Sequence, residues 1–181
     1  MTLLAAAAAE LAAVAAAMDE AALGPAVSAI AGARRIMLYG CGREGLMMQA
    51  LTMRLHHLGL AVSFQGDMAA PPLGPGDLFL CAAGPGYLST GSALVGVARA
   101  AGARVLVVTA EPDGVTSREA DALLVIPAQT MARDVGGASV LPMGSLFEGA
   151  MFLVFEVLVL RLRDVLGETP QSMRARHTNM E

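Results

Sequence analysis

The chain has no lysine and no tryptophan, and aromatic residues make up only 4% of it. All twelve basic residues are therefore arginines, a skew read here as base-composition bias rather than chemistry. The net charge is −4 and no basic patch appears, which argues against nucleic acid as a partner. There are only two cysteines, Cys41 and Cys81, and their separation fits no metal-ligand spacing. Each ends an apolar run of strand character. The expectation is two reduced, packed thiols in a cytoplasmic protein, with a thiol beside the ligand as the alternative. Neither a metal nor a cofactor is expected. Long hydrophobic runs are missing too. The greasiest segment, Met151 to Leu160, is flanked by Glu148 and Arg161 and interrupted by Glu156. A bilayer span takes about 20 apolar residues, so a core or interface helix is expected and no membrane partner. The N-terminus lacks a positive leader and is interrupted by Glu10, Asp19 and Glu20, so no targeting signal is expected.

What is present is a core. Of 181 residues 55% are apolar, enough for one domain, 1–181, whose interior is filled by alanine, leucine, valine and methionine. Residues 3–31 read as a helical arm split by Gly24-Pro25; too alanine-rich for a core of its own, it is expected to pack on a neighbouring subunit. Strands are expected at 35–39, 61–64, 77–82, 104–109 and 122–126. Helices are expected at 44–58, at 90–101 with Ser89 or Thr90 as N-cap, near 116–120 and at 145–166, before a polar tail over 167–181. Continuous apolar strands alternating with helices imply an α/β fold with a parallel sheet covered on both faces. Ligands on such sheets bind beyond the carboxyl ends of the strands, where Gly40–Gly45, Ala82–Leu88 and Pro142–Glu148 should converge.

Glu148 begins the long apolar helix, and burial there, between Phe147 and Phe152, would raise its pKa toward that of a general base. His177 lies in the polar tail. His56 and His57 end a helix pointing away from the strand ends, where they suit its C-terminus. Arg43 is a candidate ligand contact, Arg54 a structural residue, and Glu156 needs an arginine partner, expected across an interface. The loop Ala82-Ala-Gly-Pro-Gly-Tyr-Leu88 has the glycines of an anion cradle, with Tyr87 expected to fill it or stack on a ligand.

Gly40-Cys-Gly-Arg-Glu-Gly45, Met53-Arg-Leu-His-His-Leu-Gly59, Gly66-Asp67, Pro142-Met-Gly-Ser-Leu-Phe-Glu148 and Arg176-His-Thr-Asn-Met-Glu181 together resemble the sugar isomerase (SIS) domain, and within it the 6-phospho-3-hexuloisomerases. The resemblance runs from about residue 10 to 181. It implies a three-layer α/β/α flavodoxin-like fold with a five-stranded sheet, a homo-tetramer, and metal-independent interconversion of 3-hexulose 6-phosphate and fructose 6-phosphate through an enediol. Glu148 would be the base and His177 its acid/base partner, the tail closing over a site that can belong to a neighbouring subunit. The substrate contacts would be Arg43, Glu44, Asp67, Gly84, Gly86, Ser89 and Thr90.

The chain also departs from that pattern. Relatives read S-G-S-G-E-T where this chain has Ala83-Gly-Pro-Gly-Tyr-Leu88, and G-x-G-R-S-G where it has Glu44. The glutamate and threonine of G-E-x-x-T-P are Asp67 and Ala70. A hydrogen bond to a charged group contributes roughly 1.5–3 kcal/mol, so losing three or four weakens phosphate binding greatly. Ser89, Thr90 and the free N–H groups opening the following helix are the remaining anion ligands. Two further readings therefore stand beside the isomerase of sugar phosphates: an SIS-fold isomerase for another, non-phosphorylated sugar, and a non-catalytic oligomer that binds carbohydrate derivatives.

Overall fold

The computed structural model describes residues 1–134 and 139–180; Glu181, the last residue of the terminal motif, lies outside them. Five strands, β1 (Ile36–Tyr39), β2 (Val62–Phe64), β3 (Leu78–Ala82), β4 (Arg104–Thr109) and β5 (Ala122–Val125), form one parallel sheet in the order β2-β1-β3-β4-β5. The order reverses at β1, so the crevice beyond the carboxyl ends of β1 and β3 is the topological switch point.

The side-chain period of two divides the core. Ile36, Leu38, Leu78, Leu80, Leu106, Val108 and Leu124 point to one face, where α2 (Gly24–Ala31), α3 (Gly42–His57) and α5 (Ser145–Leu166) cover them. Tyr39, Phe79, Cys81, Val105 and Val107 point to the other, under α4 (Ser89–Ala100). Both faces are apolar, which is why the strands read as unbroken hydrophobic runs.

Several expectations change in detail. α1 (Leu3–Ala17) packs on α5 of its own chain. A Cβ on Gly149 would lie 3.0 Å from Leu11 Cδ2, so the absent side chain lets the alanine-rich helix approach, and Val14 is buried there. Leu3 and Leu4 stay exposed. The N-cap of α4 is Leu88, with Ser89 and Thr90 already inside the first turn. The segment near 116–120 is a 3-10 turn, Ser117–Glu119. The polar tail contains a six-residue helix, α6 (Pro170–Ala175), opened by a reciprocal Thr169–Ser172 capping box. Glu156 finds its arginine inside the chain: Arg54 Nε and Nη2 reach its two oxygens at 2.9 Å each, because α3 and α5 pack side by side.

Candidate active site

Two tight turns build the site at the sheet's carboxyl edge. Between β1 and α3, Gly40 and Gly45 face each other: a Cβ on Gly45 would lie 2.6 Å from the Gly40 carbonyl oxygen. Their lack of side chains lets α3 begin immediately after the strand, setting Arg43 and Glu44 in its first turn over the strand ends. Before α5, Met143 and Gly144 both take positive φ, 57° and 82°. A Cβ on Gly144 would meet the Met131 nitrogen at 2.6 Å, so that backbone crossing needs glycine. Met143 is held in its strained conformation from both sides: its N–H donates to Asp134 Oδ2 at 2.6 Å, and its carbonyl accepts from Arg43 Nη2.

These turns, with Thr130, Met131 and Ala132, border a cavity of about 340 Å³ lined by Arg43, Glu44, Thr130, Glu148 and the apolar Leu88 and Phe147. Cys41 also lines it, so one of the two free thiols stands beside the ligand space while Cys81 is buried. Glu148 Oε2 is in ionic contact with Arg43 Nη2 at 3.0 Å, and the same nitrogen also donates to the Met143 carbonyl. Burial raises the Glu148 pKa, and the Arg43 charge only partly offsets this. Phe147 supplies that burial; Phe152, one turn on, is 53% exposed and supplies none.

Glu44, one of the expected substrate contacts, is tied to the glycine-rich loop. Its Oε2 accepts the Gly84 N–H at 3.0 Å. Burial, and secondarily the charge of Glu148, push its pKa up to about 7, against the lowering effect of the Gly84 bond. Gly84 has no room for a side chain, since a Cβ would lie 2.7 Å from both Glu44 Oε1 and the Phe147 ring. Three donors of the glycine-rich loop are thus spent. Ala83 N–H goes to the Val108 carbonyl, Gly84 N–H to Glu44, Gly86 N–H to the Ala83 carbonyl, and Pro85 has none. Gly86 serves packing: a Cβ there would lie 2.6 Å from Glu111 Cβ and 3.0 Å from Gly114.

The remaining expected ligands stand apart. Ser89 and Thr90 are exposed and off the cavity wall. The Tyr39 hydroxyl contacts Cys41 Sγ at 2.9 Å. Asp67 is exposed and caps the Phe64 N–H at 3.1 Å. Tyr87, 54% exposed, turns away from the cradle it was expected to fill; Leu88 takes that place.

His177 lies at the opposite edge of the sheet. Its ring stacks on His57 with centroids 5.2 Å apart, at the far end of α3, a helix about 24 Å long. Arg176 anchors it there, bonded to the His57 carbonyl at 2.9 Å and to both Glu168 oxygens at 2.7 and 2.9 Å. A groove of about 410 Å³ at that edge is lined by Arg54, His57, Arg163, Arg174 and His177. Within one chain, then, Glu148 and His177 do not meet. Thr130, absent from the sequence-based candidates, is the residue the cavity adds.

The SIS domain model matches residues 29–153. A 3-hexulose-6-phosphate isomerase of Mycobacterium gastri is 36% identical over 147 residues, 81% of this chain and 74% of that protein. One of Bacillus subtilis (strain 168) is 29% identical over 153 residues, 84% of this chain and 83% of its own. Among solved structures, MJ1247 of Methanococcus jannaschii, whose structure infers a molecular function of 3-hexulose-6-phosphate isomerase, superposes with TM-score 0.84 at 21% identity over 98% of both chains. With its sheet order, its glycine turns and these similarities agreeing, the chain belongs to the SIS domain family.

Proposed function

We propose that the protein is an isomerase of the 3-hexulose-6-phosphate type, moving a carbonyl between C3 and C2 of a hexulose. The observation that carries this reading is Glu148: a carboxylate at a cavity wall, its pKa raised by burial, with the Arg43 guanidinium 3.0 Å away. Glu148 takes the proton from C2 of the 3-hexulose, the C2–H electron pair forms the C2=C3 double bond, and the C3 carbonyl oxygen becomes the enediolate oxygen. Arg43 stabilises that charge. Proton return to C3, with loss of the O2 proton as the C2 carbonyl forms, gives the 2-hexulose. His177 shuttles the proton between the oxygens, and because it lies at the far edge of its own chain, it serves a neighbouring subunit of a homo-tetramer.

The test is solvent hydrogen exchange. In heavy water the enzyme should wash out the C3 proton of fructose 6-phosphate, and Glu148→Gln should slow this by on the order of 10³-fold with an unchanged melting temperature. Exchange that persists undiminished in that variant removes Glu148 from the mechanism.

The Glu44–Gly84 bond favours a second reading, an isomerase for a non-phosphorylated sugar, because a carboxylate already fills the cradle where a phosphate would take its N–H. A sugar phosphate must instead bring its dianion to Arg43 and the N-terminal turn of α4, or meet Glu44 protonated.

A further inference from the structure

Among the described residues, one buried side-chain oxygen has neither a hydrogen-bond nor an ion-pair partner, Thr130 Oγ1; Glu148 Oε2, also without an aligned donor, has Arg43 Nη2 at 3.0 Å. Both residues line the same cavity. Buried polar groups are nearly always paired, because an unmade bond leaves the desolvation cost uncompensated. An orphaned hydroxyl on a residue that lines the cavity therefore points to a partner that enters it.

Thr130 invites a plainer explanation, and the geometry removes it. It is the N-cap of the 3-10 turn Met131–Arg133, where a threonine ordinarily turns its hydroxyl onto a backbone N–H of the first turn. Here no such bond is made. The residue is 3% exposed, so the hydroxyl is cut off from bulk solvent. Its backbone is fixed by the close crossing with Gly144, whose missing Cβ would lie 3.2 Å from the Thr130 carbonyl carbon. The same crossing starts α5 and places Glu148 one turn further on.

We infer that Thr130 is a substrate-binding residue whose hydroxyl hydrogen-bonds a sugar oxygen beside the carbon that Glu148 deprotonates. This rests on the isomerase reading and names a specificity contact within it. A threonine hydroxyl both donates and accepts, so it suits a sugar hydroxyl or carbonyl oxygen whatever the ligand's phosphorylation state. It adds a neutral partner to a site whose other polar groups, Arg43, Glu44 and Glu148, are ionisable.

The experiment compares Thr130→Val, which keeps the shape and deletes the hydroxyl, with Thr130→Ser, which keeps the hydroxyl. Calorimetric titration with fructose 6-phosphate and with fructose reads binding apart from turnover. Thr130→Val should weaken binding of the probe that the wild type takes by about five- to tenfold, raise KM by a similar factor with little change in kcat, and melt no lower than wild type, since an unpaired buried hydroxyl is gone. Thr130→Ser should stay within about twofold of wild type. Wild-type affinity in Thr130→Val, or equal losses in both variants, overturns the assignment of Thr130 alone. Failure of the wild type to bind either probe overturns the isomerase reading and this contact with it.

Discussion

The two edges of the sheet carry the same ingredients, arginines and carboxylates, and treat them in opposite ways. At the amino edge Asp77 is clamped by Arg34 Nε and Nη2 at 2.9 and 3.0 Å and accepts the Gly74 N–H at 2.9 Å. The Arg34 hydrogen bond, foremost, holds its pKa below the usual carboxylate range. Glu168, bound by Arg176 and Ser172, is lowered likewise. At the carboxyl edge Glu44 and Glu148 are raised, because burial there outweighs the donors provided. An ion pair in which both carboxylate oxygens accept directed donors is structure. A desolvated carboxylate with unfilled hydrogen-bonding capacity is positioned for chemistry or a ligand.

The sharpest way to break this contrast asks whether the edges meet between subunits. Glu148→Gln and His177→Ala should each abolish turnover as separate homo-oligomers. Unfolded together and refolded, they should regain activity in hybrid sites that pair an intact Glu148 with an intact His177. No recovery in the mixture would confine His177 to its amino-edge role beside His57.

A smaller effect comes from pH. Glu44 binds its proton more tightly folded, at about 7, than at the ordinary 4.5, so the folded chain holds the extra proton between those values. Its contribution is fully present below about pH 4.5 and lost as pH rises through about 7. Glu44→Gln should therefore match wild type near pH 4.5 in urea melts and exceed it at pH 8 by on the order of 2 kcal/mol, allowing for partial solvent access. Asp77→Asn carries the opposite sign. Its folded pKa is depressed, so its contribution is present above the unfolded pKa and is lost as pH falls through the folded one; the variant's cost should be largest at neutral pH and shrink in acid. Equal offsets at both pH values for Glu44→Gln would mean that this carboxylate does not titrate on folding. In the same variant, fructose 6-phosphate should gain affinity relative to fructose above pH 7, when wild-type Glu44 is charged.

The smallest effect sharpens the role of Arg43. Its charge lowers the Glu148 pKa, so Arg43→Gln lets burial act unopposed. The acid limb of the kcat/KM profile should move to higher pH, since the base must be ionised to act. A limb that stays in place would assign it to another group.

Much of the architecture was legible because it is local. The strands show as apolar runs, and α5 was bounded at Ser145 and Leu166 by Gly144 and Gly167, both at positive φ. Arg43 and Glu148 could be named because each lies in a short motif that resembles the family, and both stand at helix starts after a glycine turn. Thr130 gave no such signal: it follows Pro127-Ala-Gln129 outside any periodic pattern and resembles an ordinary capping threonine. Ser89, Thr90 and Asp67 are the converse case. Proximity in sequence to the cradle does not fix side-chain direction, and their hydroxyls and carboxylate point outside the cavity.

The sequence alone determined the alternation of strands and helices, the parallel sheet and the glycine turns, since these follow from periodicity and from backbone that tolerates no side chain. Only the tertiary structure decided that Glu44 takes the Gly84 N–H, that Thr130 has none to take, and that His177 packs on His57. Hydrogen-bond pairing and desolvation are set by neighbours from distant parts of the chain, whose distances no single segment encodes.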